Sequence, residues 1–539
     1  MSQKRISAIY FIIMMSLAFL CVRLYALSQG NDSRTVLTGQ YTRRLDIAQR
    51  SGFIYDRNLD LLSHRISGVS VTVNPDAVNN NYHDTAKAVS EICNVPVSEV
   101  YSLLSQNEVF TLHADKDVPP NKLSAYDGIY INNIYEEFYS VAPHILGYKN
   151  SDGKPISGLV KAHETALSAF SGRVYAKYEA NAVSKSMNGS LFEIYDEMYT
   201  EESGVVTTLD KNLQEFTQSL GESVIDMGAI IITDVNTGEI LALSSFPSYD
   251  SENIAEYLES DRGELINRAC ARFTPGSVFK LVVAAAALEK DMSLSDFSYE
   301  CTGSITTETD TFRCHKQSGH SFQTLSDAFA NSCNTYFIEL GRKIGADAIL
   351  ETACKMGLGK DVFADFLHAD AAQLFPESTF SENLLANVSF GQGPLLLSPL
   401  DMVNVTNCAS TGLLPTLSLI KGIYKNGILH KTPKTAPERV LSENTCKCLR
   451  DMMKKCVSEG TGQKAYLEGV SSGGKTATAQ TGQLDKNGNE VLHTWFCGIY
   501  PCNSPKYSII ILCDGNGRNT HLPAEIFAIV NKHLINCGY

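Results

Sequence analysis

The stretch FTPGSVFKLVVAAAALEK, residues 273–290, decides how the rest of the chain is read. Pro275 and Gly276 mark a helix start, and the alanines at 284–287 favour its continuation. The body is apolar nearly all round, so this helix is expected to be buried. Ser277 and Lys280 stand three apart and therefore share a face. In the first turn, free backbone N–H groups and the positive end of the dipole favour a developing oxyanion at Ser277. Burial of Lys280 lowers its pKa and makes a neutral amine accessible as a base. The pair is thus a candidate nucleophile and proton acceptor.

Spacing alone does not carry this reading. Ser151–Lys154, Ser418–Lys421 and Ser472–Lys475 repeat it, and each by itself is a coincidence of composition. Two downstream elements set Ser277 apart. ANSCNTYF (330–337) places Ser332 and Asn334 on either side of Cys333, and GGKTATAQTG (473–482) sets Lys475 on a strand with Thr476 and Thr478. The bland alternatives are a helix cap for the first and a lysine-protected edge strand for the second. The three elements in this order are far more specific than any one of them.

Outward from these elements, the segment 205–225 reads as a strand followed by an amphipathic helix. Residues 228–247 form two apolar runs joined through Asn236-Thr237-Gly238, a hairpin signal. A helical, loop-rich middle spans about 291–465. Strand signals return at 473–482, 494–501 and 506–515, and an amphipathic helix follows at 522–537. Strands from both ends of the unit bracket a helical middle. The expected assembly is a mostly antiparallel sheet, with the terminal helices on one face and the inserted helices on the other. Upstream, residues 29–200 read as mixed α/β, with a strand at 68–76 and two helices within 84–106 divided at Pro96.

The chain has 539 residues, too many for one core, so two or three domains are expected. Its net charge of −14 argues against a nucleic-acid partner, and no phosphate-binding glycine motif supports nucleotide chemistry. From Ile6 to Leu27 the only charge is Arg23, and about twenty apolar residues suffice to span a bilayer. Lys4 and Arg5 precede the run and place the N-terminus in the cytoplasm, with the remainder outside. The rival, a cleaved signal peptide ending near Ala26-Leu27-Ser28, is disfavoured because the run exceeds the usual ~7–15 residues. Of the fifteen cysteines, most are expected to be reduced core residues. Cys301 and Cys314 are the best disulfide candidates, ranked behind free thiols. A zinc set built on Cys314, His315 and His320 ranks third.

The three motifs S-x-x-K, S-x-N and K-T-G resemble the signature of penicillin-recognising serine acyltransferases. The chain resembles a class B penicillin-binding protein over almost its whole length. RSGFIYDRNLDLLSHR (50–65) is similar to the entry into that family's N-terminal pedestal, and SFGQGPLLLSPLDM (389–402) and HTWFCGIYP (493–501) match later blocks. The resemblance implies an α+β chain in three parts: anchor at 1–28, pedestal at 29–203, and a transpeptidase domain at 204–539. The space before residue 204 is too short for the glycosyltransferase of class A members. The implied reaction is cross-linking of peptidoglycan stem peptides through a Ser277 acyl-enzyme, with β-lactams as inhibitors. Lys280 would be the base, Ser332, bonded between the two lysines, a proton relay, and Asn334 a holder of the substrate backbone. Lys475 would attract the terminal carboxylate, with Thr476 and Thr478 as hydroxyl partners. A multi-spanning membrane glycosyltransferase is the implied partner, and no cofactor is required. D,D-carboxypeptidase, β-lactamase, β-lactam sensor and non-catalytic scaffold are the rivals.

Three positions depart from the family pattern. The K-T-G glycine is Ala477, on the same strand face as Lys475 and so expected to look at the nucleophile helix. Ser51 precedes Gly52 where arginine is usual, and Leu59 follows Asn58 where glycine is usual.

Overall fold

The structure is a computed structural model that describes residues 3–29, 42–78, 81–115, 126–180, 192–375, 381–484, 488–515 and 519–539. It divides into two compact units interleaved along the chain. One comprises Met1–Ser51, Arg65–Glu137 and Phe170–Glu201; the other comprises Gly52–His64, Phe138–Ala169 and Glu202–Tyr539.

The first unit holds the N-terminal helix Gln3–Gln29. Its segment Ser7–Ala26 has a mean hydropathy of 2.1 and is long and apolar enough to cross a membrane. The side chains of Lys4 and Arg5 lie outside the described residues. Two three-stranded sheets follow. The helices Tyr82–Cys93 and Val97–Gln106 are separated as expected, with Asn94 in the left-handed conformation and Pro96 starting the second. Ala86, Val89, Val100 and Leu104 bury against Val71 and Val73 of the strand His64–Val73. Arg50 is buried, and its guanidinium donates to the carbonyls of Tyr199 (2.8 Å) and Met198 (2.7 Å).

In the second unit we label the strands β1 (Gly228–Asp234), β2 (Ile240–Phe246), β3 (Gly473–Leu484), β4 (Glu490–Tyr500) and β5 (Tyr507–Asp514). They form one antiparallel sheet in the order β2-β1-β5-β4-β3. The principal helices are α1 (Lys211–Val224), α2 (Lys280–Lys290), α3 (Leu325–Ala330), α4 (Asn334–Ile344), α5 (Pro399–Thr411), α6 (Glu443–Ser458) and α7 (Leu522–Asn536).

The strands read as continuous apolar runs because both faces are covered. Ile230, Ile232, Phe496, Ile509 and Ile511 face α1 and α7. Ala229, Ile231, Trp495, Ile510 and Leu512 belong to the opposite core, shared with the inserted helices α2, α5 and α6. This is the expected two-faced assembly. Every residue of α2 from Lys280 to Leu288 is buried, as the lack of a polar face required. A four-stranded sheet adds Phe53–Tyr55, which pairs parallel with Gly204–Thr207. The Asp56 carboxylate accepts from the N–H groups of Asn58 and Asp60, at 2.7 and 2.9 Å, and from that of Lys211 at 3.1 Å. This part of the pedestal-like block is therefore built into the second unit.

Candidate active site

Ser277 lies in a 3₁₀ turn, Gly276–Phe279, which leads directly into α2 at Lys280. Side chains three apart eclipse one another in such a turn, so Ser277 and Lys280 point the same way. The turn is held from three sides. The Thr274 N–H donates to His493 Nδ1 (3.1 Å), and Trp495 Nε1 donates to the Thr274 carbonyl (3.0 Å). Phe273 exchanges backbone hydrogen bonds with Leu397 at 2.8 and 2.9 Å. Gly391, from the SFGQG block, has φ +87°, and a Cβ there would lie 1.8 Å from the Gly276 carbonyl oxygen. Only glycine fits that approach.

Strand β3 is the edge of the sheet and packs on this turn. Its side chains alternate: Lys475, Ala477 and Ala479 are buried, whereas Thr476 is half-buried and Thr478 exposed. Ala477 thus shares the Lys475 face and looks toward the Gly276–Phe279 turn. Gly276 has φ +56°, and a Cβ on it would meet the Ala479 and Ala477 methyls at 3.0 and 3.4 Å. The alanine methyl occupies the contact layer between strand and turn.

The S-x-N element forms the corner between α3 and α4. A capping box of Thr324 and Asp327 starts α3. Ser332 then adopts φ +54°, a left-handed conformation that costs a non-glycine residue about 1–2 kcal/mol. That bend turns the Ser332 carbonyl toward Lys280. Lys280 Nζ donates to this carbonyl at 2.8 Å, to Asn334 Oδ1 at 2.8 Å and to Ser332 Oγ at 3.3 Å. Three acceptors meet the three donors of an ammonium. Lys280 is wholly buried, and burial first, then the positive charge of Lys475, hold its pKa well below the ordinary lysine value. Losing a proton leaves the amine two donors and a lone pair, on the helix face it shares with Ser277.

Lys475 is also fully buried, and burial lowers its pKa. Its Nζ donates to the Thr476 carbonyl (3.0 Å) and lies 5.6 Å from the Phe329 ring centroid. The hydrogen bond expected between Lys475 and Ser332 is not among those of the described residues, where the Ser332 hydroxyl pairs with Lys280. The Ser418–Lys421 pair is engaged elsewhere. Ser418 Oγ accepts from Lys434 (3.0 Å), and Lys421 donates to the Arg57 carbonyl (2.8 Å).

These elements enclose a cavity of about 270 Å³ lined by Ser277, Ser332, Asn334, Thr476, Ala477 and Thr478. Lys280 and Lys475 are fully buried and are not among its lining residues. Thr461, His315, Thr520 and His521 also line it; of these the sequence singles out His315 alone, and only in the third-ranked zinc alternative. Thr461 Oγ1 is 2.7 Å from Thr476 Oγ1, a pairing across fifteen residues of loop and strand that no short motif displays. No bond joins Cys301 to Cys314, and both thiols are free.

Known proteins carry the same organisation. The penicillin binding protein transpeptidase domain family matches residues 228–532. Stage V sporulation protein D of Bacillus subtilis is 28% identical over 513 residues, covering 90% of this chain and 77% of that protein. Peptidoglycan D,D-transpeptidase FtsI of Escherichia coli K12 is 24% identical over 531 residues, covering 93% and 85%. The crystal structure of penicillin-binding protein 3 from Mycobacterium tuberculosis complexed with aztreonam superposes with a TM-score of 0.65 at 22% identity, covering 92% of this chain and 97% of that one. Helicobacter pylori PBP2, solved in complex with MreC, gives 0.64 at 21%, covering 92% and 99%. The matched region contains the serine turn, the S-x-N corner and the edge strand described above, and the chain belongs to the penicillin-binding protein transpeptidase family, in its class B branch.

Proposed function

We propose that this protein is a serine-type peptidoglycan D,D-transpeptidase acting through a Ser277 acyl-enzyme. The observation that carries the proposal is the buried Lys280, held by Ser332 and Asn334 and sharing a helix face with Ser277 at the wall of one cavity. Neutral Lys280 takes the Ser277 hydroxyl proton as Oγ attacks the penultimate D-alanine carbonyl. The tetrahedral oxyanion is received by the backbone N–H groups of Ser277 and Thr478. Loss of one such donor costs about 2.7–4 kcal/mol in comparable sites. Ser332 relays the proton to the departing terminal D-alanine amine. Asn334 holds the substrate backbone. Thr476 and Thr478 present hydroxyls to the terminal carboxylate, while Lys475 supplies positive charge from beneath them. An amine from a neighbouring stem then attacks the ester and regenerates Ser277, which makes the cycle ping-pong. A β-lactam acylates the same oxygen and inhibits.

In this reading residues 204–539 carry catalysis. Residues 29–203 form the pedestal, of which 52–64 and 138–169 are packed into the catalytic unit. The helix within 1–28 anchors the chain once across the membrane, with Lys4 and Arg5 on the cytoplasmic side. Chemistry then takes place outside the membrane, beside a multi-spanning glycosyltransferase that supplies glycan strands.

The test is labelling of the full chain in detergent with a fluorescent penicillin, followed by peptide mass spectrometry. An adduct on Ser277 that Ser277→Ala abolishes is the expected result. Stem peptide with and without an amine acceptor then reads the reaction. Hydrolysis alone, even beside the membrane partner, would replace transpeptidase by carboxypeptidase; neither adduct nor turnover of a stem-peptide thioester would leave a scaffold.

A further inference from the structure

Behind the S-x-N corner, three cysteines and a histidine converge. Cys301, Cys314 and Cys333 are buried, His320 is half-buried, and their ligand atoms all lie within 4.8 Å of one another. Cys314 Sγ is 3.9 Å from Cys333 Sγ, and His320 Nδ1 is 3.5 Å from Cys314 Sγ and 3.6 Å from Cys301 Sγ. With Zn–S near 2.3 Å and Zn–N near 2.0–2.1 Å, a tetrahedron separates two sulfurs by roughly 3.8 Å and a sulfur from a nitrogen by roughly 3.5 Å. Three of the six spacings match those of a zinc shell, and the other three lie within 4.8 Å. They are not those of a disulfide, whose sulfurs approach to about 2.05 Å.

We propose that Cys301, Cys314, His320 and Cys333 form a closed, structural Zn²⁺ site that fastens the Ser332–Asn334 corner to the segment 301–320. Three thiolates and an imidazole are soft, tetrahedral donors, which excludes the oxygen-preferring Mg²⁺ and Ca²⁺. Four protein ligands leave no position for a reacting water, so the role is structural. The backbone already presents the ligands: the Cys314 N–H donates to the Gly303 carbonyl (2.9 Å) and the His320 N–H to the Cys301 carbonyl (3.0 Å). Thr335 Oγ1, 3.4 Å from Cys333 Sγ, can donate to that thiolate.

The need for a metal is visible in the segment. Its four strands are three residues each, and Phe322 stands 71% exposed. Such a segment has little core of its own, and a metal supplies the cross-link that apolar burial does not. The fourth ligand is the middle residue of S-x-N. Cys333 is also the N-cap residue of α4, immediately after the left-handed Ser332. Fixing its sulfur fixes both groups that receive the Lys280 protons. The metal site stands without any assumption about activity. Its link to acylation rests on the transpeptidase reading.

The experiment uses the full chain, purified in detergent with thiols kept reduced. Elemental analysis is expected to give about one zinc per chain. Cys301→Ser, His320→Ala and Cys333→Ser should each lose it, whereas Cys354→Ser, at an exposed thiol, should retain it. Because ligand variants can misfold, the wild type is also exchanged with Co²⁺, whose visible d–d and thiolate charge-transfer bands should report a tetrahedral sulfur-rich site. Zinc-free reduced protein, zinc retained in Cys301→Ser and Cys333→Ser, or a Cys314–Cys333 disulfide in place of metal would each overturn the site. Removal of zinc by chelation should slow penicillin acylation of Ser277 by roughly 10²-fold, reversed by added Zn²⁺, as expected for a small misplacement of catalytic groups. An unchanged rate with zinc gone would overturn the link while leaving the site. A zinc-loaded protein that never acylates would instead refute the transpeptidase reading.

Discussion

The two walls of the cavity are built on different principles. One consists of the Gly276–Phe279 turn, α2 and the edge strand β3, long elements set in the main core. There the position of Ser277 follows from burial: a helix without a polar face has one place to go, and the strand beside it meets it through small residues. The other wall is the 299–334 segment, a set of three-residue strands ending in a strained corner at Ser332. Its apolar hold comes mainly from α3, whose Leu325, Ala328, Phe329 and Ala330 join the main core, whereas the short strands before it add little. Lys280 ties the corner through Ser332 and Asn334, and in the proposed metal site the thiol–imidazole cluster adds a second tie. Regular elements place Ser277 and Lys280, and polar contacts place Ser332 and Asn334.

This contrast can be broken at several points. The largest effect belongs to Lys280→Met, which removes the base from the first wall and the tie to the second. Penicillin acylation should fall by about 10²–10⁴-fold, measured by stopped-flow or gel-based labelling on protein whose far-UV spectrum is unchanged. The pH profile of the wild type gives the sign independently. Burial and Lys475 lower the Lys280 pKa, so the neutral, basic amine gains population as pH rises through a midpoint below the ordinary lysine value near 10.4. The acylation rate should climb over that range, and a rate that falls with rising pH would assign the base elsewhere.

Ala477→Val tests the first wall alone. Two added methyl groups enter the layer where Ala477 faces Gly276, and overpacking of that kind costs about 1–3 kcal/mol. Acylation should slow by about tenfold, whereas Ala477→Gly should leave it within about twofold and lower stability by roughly 0.5–1 kcal/mol. Smaller again is Thr324→Ala. It deletes the capping box of α3 in the second wall and should cost about 1 kcal/mol in denaturant unfolding, because Asp327 keeps its ion pair with Lys455 at 2.6 Å.

Much of the fold was legible because burial on both sides leaves a plain trace. The runs in β1 and β5, the hairpin through Asn236-Thr237-Gly238 and the all-apolar α2 were each readable locally. Leu59 shows the limit of such reading. It stands where the family pattern expects glycine, and it adopts φ +74°, the left-handed conformation that glycine favours. The cavity residues Thr461, Thr520 and His521 were invisible for another reason: none belongs to a periodic pattern, and each reaches the site by tertiary approach. The cysteines are free thiols, as the leading expectation had it. That Cys333 approaches Cys301, Cys314 and His320 is not legible locally, because Cys333 sits inside S-x-N, and His315 lines the cavity instead.

The amino-acid order alone determined the candidate site: a serine and a lysine one turn apart at a helix start, then Ser-x-Asn, then Lys-Thr on a strand. It could do so because short-range geometry, three residues on a helix and two on a strand, is set by the backbone itself. Only the tertiary structure decided that Ser332 pairs with Lys280, that both lysines are fully buried, and that Cys301, Cys314, His320 and Cys333 meet at one point. Those relations join residues tens to nearly two hundred positions apart, and their distances are fixed by packing, which no local pattern records.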